Sequence, residues 1–123
     1  MFGIEKLAHD LTEIGYQPEK IKVNDLDFVV IDEFLVELGR FKGRNICLGI
    51  QATKDFPRSA ASAIHVKASP QLFEKKDSIK NVRNIIDSPL GPDWRYWSHN
   101  FKWKENSSTR RLVNQIKGIF ARA

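Results

Sequence analysis

Apolar residues at Ile4, Leu7, Leu11 and Ile14 recur at intervals of three and four, with Ala8 beside them, which predicts an amphipathic helix at the start of the chain. Gly15 then supplies a helix stop and Pro18 prevents resumption. The opposite face carries Glu5, Asp10 and Glu13. After Pro18 the period changes to that of strands. Lys20 to Val23 reads as a weak strand, and Asp27 to Phe34, with Phe28, Val29, Val30 and Ile31, as a stronger one; Asn24-Asp25 suits the turn between them. Leu35 to Phe41 is expected to extend the second strand, up to a turn at Lys42-Gly43. Asn45 to Ala52 alternates, with Ile46, Leu48 and Ile50 on one face and Cys47 on the other. Ala63 to Lys67 predicts a fourth strand with Ile64 and Val66 inward and His65 outward.

From Ala68 to Pro92 the pattern loosens. Ser69-Pro70, Ser88-Pro89 and Gly91-Pro92 punctuate it, and Lys80 to Ile86 reads as a short helix. Ser107 is placed to cap a last helix whose apolar face is Leu112, Val113, Ile116, Ile119 and Phe120 and whose wet face is Arg110, Arg111, Lys117 and Arg122. Gly118 weakens that helix. A helix, four short strands with short connections and a closing helix predict an α+β fold: an N-terminal helix packed on a four-stranded antiparallel meander, then a C-terminal helix, as one domain over residues 1–123.

The 123 residues suffice for such a domain without a disulfide or metal staple. Cys47 is the one cysteine, so no internal disulfide exists. No apolar run approaches the ~20 residues of a membrane span, and charges at Glu5, Lys6 and Asp10 break any secretory signal, so the expected location is cytoplasmic, with no membrane partner. The net charge of +5 is unevenly spread: the first 35 residues carry three lysines against eight acids, whereas residues 101–123 carry six cations against one acid. Such a basic end suits an acidic protein or nucleic acid, or is simply a solvated surface. Three dispersed histidines and one cysteine make no zinc pattern, and neither a glycine-rich phosphate loop nor a nucleophile elbow is present, so no cofactor or metal is expected.

The most distinctive stretch is Trp94 to Trp103, with five aromatics in ten residues. It resembles the Trp-x-x-Trp-Ser-Arg-His-Phe signature of a bacterial branch of the ubiquitin-conjugating superfamily, prokaryotic family E. Three earlier segments line up in order. Phe56-Pro57-Arg58-Ser59-Ala60-Ala61 resembles the superfamily's Tyr-Pro-x-x-Pro-Pro turn, a strand follows at Ala63 to Lys67, and Ser69-Pro70-Gln71 stands where the superfamily has His-Pro-Asn. The chain departs from the pattern as well. Ala60-Ala61 replaces the double proline, giving a less rigid turn. His99-Asn100 stands where the branch has Arg-His, and no cysteine follows Ser69-Pro70-Gln71, an absence shared by many members of the branch. The resemblance implies a ubiquitin-conjugating-like fold and a place in a bacterial ubiquitin-like modification pathway, with a ubiquitin-like protein and an activating enzyme as partners. Without the thiol it implies a pseudoenzyme or adaptor that binds protein. A carrier enzyme forming an oxyester through a serine, and a small basic nucleic-acid-binding protein, are the alternatives.

For the oxyester, the resemblance puts Ser78 near the nucleophile position. A hydroxyl there needs a general base, and His99 is the available downstream imidazole. Asn100 could donate to a developing oxyanion in place of the asparagine lost at Gln71. The bland alternatives are that Ser78 is a polar loop residue and His99 a neighbour of an aromatic cluster. Ser69, Pro70, Gln71, Trp94 and Trp97 are the candidate binding residues. Spacings of three and four put Trp94, Trp97 and Phe101 on one helical face, either as core or, if exposed beside Arg95, Lys102 and Lys104, as a stacking platform for nucleic acid. Cys47, flanked by Ile46 and Leu48, reads as a small buried side chain rather than a nucleophile.

Overall fold

The computed structural model describes residues 1–75 and 85–123. Helix α1 spans Gly3–Ile14 and ends at Gly15, whose φ of 115° is the left-handed conformation that frees its N–H to bond the carbonyls of Leu11 and Thr12. Strands β1 (Glu19–Val23) and β2 (Leu26–Leu35) form a tight hairpin. Asn24 and Asp25 both have positive φ there (51° and 63°), as a two-residue turn matched to strand twist requires. Strands β3 (Asn45–Ala52) and β4 (Ala63–Lys67) continue the antiparallel meander. Two further strands, β5 (Ile85–Ser88) and β6 (Gly91–Ser98), form a second hairpin, and helix α2 (Thr109–Arg122) closes the chain. Among the described residues the strands make one six-stranded antiparallel sheet, ordered β1-β2-β3-β4-β6-β5.

The sheet therefore has six strands, not the four expected. The added pair comes from the segment read as irregular: β6 docks on β4, aligning Ile64 with Trp97 and Lys67 with Trp94. That strand pairing replaces the single helical face inferred for the tryptophans. Successive strand residues point to opposite faces, so Trp97 enters the helix-side core while Trp94 lies on the other side. Ile85 and Ile86 are likewise in β5 rather than in a helix; residues 80–84 of that expected helix lie outside the described residues.

Both helices cover one face of the sheet. Leu7 and Leu11 from α1 and Leu112, Val113, Ile116, Ile119 and Phe120 from α2 meet Val29, Ile31, Leu48, Ile50, Ile64, Val66 and Trp97. The Phe120 ring sits between Phe34 and Trp97, with centroids 5.7 and 5.4 Å away. Burying side chains of this size contributes roughly 1.5–3 kcal/mol each. The Thr109 hydroxyl ties the helices together by donating to Asp10 Oδ2 at 2.7 Å. The N-cap of α2 is Ser108, one residue beyond the expected Ser107: Ser108 Oγ accepts from the Arg111 N–H, whereas Ser107 Oγ accepts from that of Lys104.

Strand β2 stops at Leu35, after a register shift between Ile31 and Phe34, instead of running on towards Phe41. The chain turns back at Val36, which exchanges backbone hydrogen bonds with Gly43 and Arg44. Gly39 enforces that path. Its φ is 89°, and a Cβ there would stand 2.5 Å from the Ala121 carbonyl oxygen, a clash with backbone that no side chain can relieve.

The opposite face of the sheet is covered at its centre. Phe28, Val30, Ala63 and Trp94 are buried there. Gly49 lies at its centre, where a Cβ would be 2.6 Å from Leu90 Cδ1 and 3.3 Å from the Trp94 ring. The β5–β6 hairpin has brought Leu90 across Gly49. His65, expected outward, is consequently only 2% exposed.

Candidate functional site

A groove of about 730 Å³ opens where the ends of β3, β4 and β6 meet the Ala68–Glu74 segment. Ser69, Pro70 and Gln71 form one wall, Cys47 and Lys67 the strand side, and Asp32, Asp93 and Arg95 further parts of the lining. The wall is anchored at each end. The Gln71 side-chain amide donates to the Asp93 carbonyl at 2.6 Å, and the Arg44 guanidinium donates to the Pro70 carbonyl. Arg95 fixes the start of β6: it donates to the Pro92 and Trp94 carbonyls at 2.8 and 3.1 Å and pairs with Glu74 at 3.2 Å. Lys67 places its ammonium 5.7 Å from the centroid of the Trp94 ring, a cation–π arrangement that holds the cation at the groove.

Cys47 faces Lys67 across the β3–β4 ladder. Its Sγ lies 3.4 Å from the Asp32 carbonyl oxygen, to which the thiol donates. Burial raises the thiol pKa above its ordinary value, and Asp32 adds to the rise; Lys67 opposes it without prevailing. At neutral pH the sulfur is a protonated side chain, not a thiolate poised for attack.

The structure brings Ser69, Pro70, Gln71 and Trp94 to one end of the β4–β6 ladder and His99 and Asn100 to the other. The His99 N–H donates to the Ser62 carbonyl at 2.8 Å, just before β4 begins, whereas Ser69 follows its end. At ~3.3 Å per residue the two ends are roughly 20 Å apart. His99 is buried, with its ring edge-on to Phe101 at 4.7 Å. The Asn100 side-chain oxygen accepts from the Lys102 N–H at 2.8 Å, supporting a turn in which Lys102 has a φ of 50°. An imidazole and an amide there cannot serve a reaction at the Ser69–Gln71 wall. Ser78 lies outside the described residues. Trp97 and Phe101 are core residues and Trp94 is buried, so these rings form no exposed stacking platform.

The Phe-Pro segment is held by contacts other than a double proline. Phe56 is buried and stacks on Trp103, and the Trp103 indole N–H donates to the Pro57 carbonyl at 2.8 Å. The Phe56 carbonyl accepts from the Gly3 N–H at 2.9 Å, and Thr53, Asp55 and Ser59 are linked by their side chains.

One polar pair escaped the sequence reading. His65 Nδ1 lies 2.8 Å from Ser88 Oγ, which also accepts from the Leu90 N–H at 3.1 Å. Phe28 and Tyr96 flank the imidazole edge-on, and burial lowers its pKa to about 4. The spacing is that of a nucleophile and its base, but Leu90 closes the site and neither residue lines the groove. The pair locks the β5–β6 hairpin onto the sheet. The available signal was the unbroken apolar run Phe28–Ile31, which marks a strand buried on both faces. Among the described residues no cluster of three or more His, Cys, Asp or Glu could hold a metal ion, and no helix is long and apolar enough to cross a membrane. No family model, curated protein or solved structure matches the chain.

Proposed function

We propose that this chain is a cytosolic, ubiquitin-conjugating-like adaptor: it binds a ubiquitin-like protein or the carrier of one and performs no transfer itself. The observation that carries the reading is the state of the only thiol. Cys47 lines the groove formed with Ser69-Pro70-Gln71, yet burial keeps it protonated and it donates to a backbone carbonyl. The order of elements supports the kinship, since a leading helix, an antiparallel β1–β4 meander and a late helix follow one another as the resemblance implies, with the β5–β6 hairpin added at the β4 edge. The groove gives such an adaptor a place to bind: Ser69 and Pro70 are exposed on its wall.

Calorimetric titration with the ubiquitin-like protein of the same organism tests this. Saturable binding is expected, weakened by Ser69→Arg, which fills the groove, and unchanged by Ser78→Ala or His99→Gln. A base-labile adduct that forms with the activating enzyme and disappears in Ser78→Ala would make the chain a carrier and reject the adaptor.

A further inference from the structure

Helix α2 carries two sets of residues that work against its own stability, and both lie on its outer face. Arg110 and Arg111 occupy the first turn, where the helix dipole favours acids and where no acidic residue is found. An acid at position 111 would complete a capping box with Ser108. Gly118, the worst helix former after proline, sits in the interior. It leaves room for a cation: a Cβ there would lie 3.0 Å from Nη1 of Arg122, whose guanidinium occupies the space.

Arg110, Arg111, Arg122, Asn114, Gln115 and Gly118 together line a trough of about 520 Å³ along the helix. Among the described residues none of the three arginines has a carboxylate within ion-pair distance; Lys117, at the edge of the strip, pairs with Glu37 at 3.5 Å. Beside Lys117, Leu35 at the end of β2 and Leu38 in the β2–β3 connection are 49% and 65% exposed. They flank a notch of about 70 Å³ floored by Phe34, Val36 and Phe120. A row of guanidiniums with no carboxylate partner among the described residues calls for carboxylates. Two exposed leucines at an apolar notch call for an inserted side chain, which a nucleic-acid backbone does not offer.

We infer that the arginine strip of α2 and the Leu35–Leu38 notch dock an acidic protein segment bearing one apolar side chain. This surface is separate from the groove, and the inference stands whether or not the adaptor reading does. Local helix rules are broken where a partner, not the fold, needs those residues.

The test uses a fluorescein-labelled peptide of glutamates around a central leucine, with fluorescence anisotropy as the readout. Binding that falls steeply with salt is expected. Arg110→Glu/Arg111→Glu should weaken it about tenfold or more, and Leu38→Ser by several-fold. Gly118→Ala should also weaken it by displacing the Arg122 guanidinium. Both the charge reversal and Gly118→Ala should raise Tm, because each repairs a helix defect, so lost binding could not be ascribed to unfolding. Affinity unchanged by the charge reversal or by Leu38→Ser, absence of binding, or tighter binding to oligothymidylate or to phosphatidylserine vesicles than to the peptide would each overturn the inference.

Discussion

Lowering the pH should destabilise this protein through His65. The imidazole is buried between Phe28 and Tyr96, and burial lowers its pKa from 6.5 to about 4. Between those values the unfolded chain binds a proton that the native state refuses, so stability rises with pH. The contribution is complete above about pH 6.5 and is lost as pH falls towards 4. One pKa step is worth about 1.4 kcal/mol, so the full loss is about 3 kcal/mol, of which about 2 kcal/mol has gone by pH 5. For a domain whose total stability is roughly 5–15 kcal/mol, that is a large fraction. Urea denaturation from pH 7 to pH 4 measures it, with His65→Asn as the control. The asparagine amide is attached to Cγ, as is the Nδ1 that bonds Ser88, but it does not titrate, so the variant should start less stable and decline more shallowly through this window. Carboxylate titration is common to both proteins and cancels in the comparison. Parallel pH profiles for the two proteins, or an NMR titration of His65 centred near 6.5, would refute the reasoning.

Other consequences follow from the same packing. Gly49→Ala should cost about 1–3 kcal/mol in chemical denaturation, because its Cβ would overlap Leu90 Cδ1; Leu90→Ala in the same chain should return part of the loss as a favourable coupling. Ser108→Ala should cost about 1 kcal/mol and lower Tm, since Ser108 caps α2. Cys47 should react with a disulfide reagent at pH 7.5 more slowly than free cysteine, and at the free rate once urea unfolds the chain; rapid reaction of the native protein would contradict the protonated, half-buried thiol described above.

The two helices were legible because each buries one stripe against a polar remainder: Leu7 and Leu11 in α1, and Leu112 to Phe120 in α2, recur at the helical period. The Asn24-Asp25 turn and the one-sided burial of Ile46, Leu48 and Ile50 were equally local facts. What was lost needed long-range information. Trp94 and Trp97 are three apart, a helical interval, but in β6 that interval puts them on opposite faces, and both faces are covered. Once both sides are buried the polar alternation that identifies a strand disappears. His65 looked solvent-facing for the same reason, because its covering residue, Leu90, lies in the remote β5–β6 turn. At the candidate site, sequence order placed Ser69-Pro70-Gln71 just after the fourth strand, where the segment lies. It carried no information on distance, and the β4–β6 register separates that wall from His99.

The adaptor account is tested most directly by the intact mass of the chain after incubation with the activating enzyme, the ubiquitin-like protein and ATP. The account predicts an unchanged covalent mass under denaturing conditions and a noncovalent complex in the native spectrum. A denatured species heavier by one ubiquitin-like protein, less water, would contradict it.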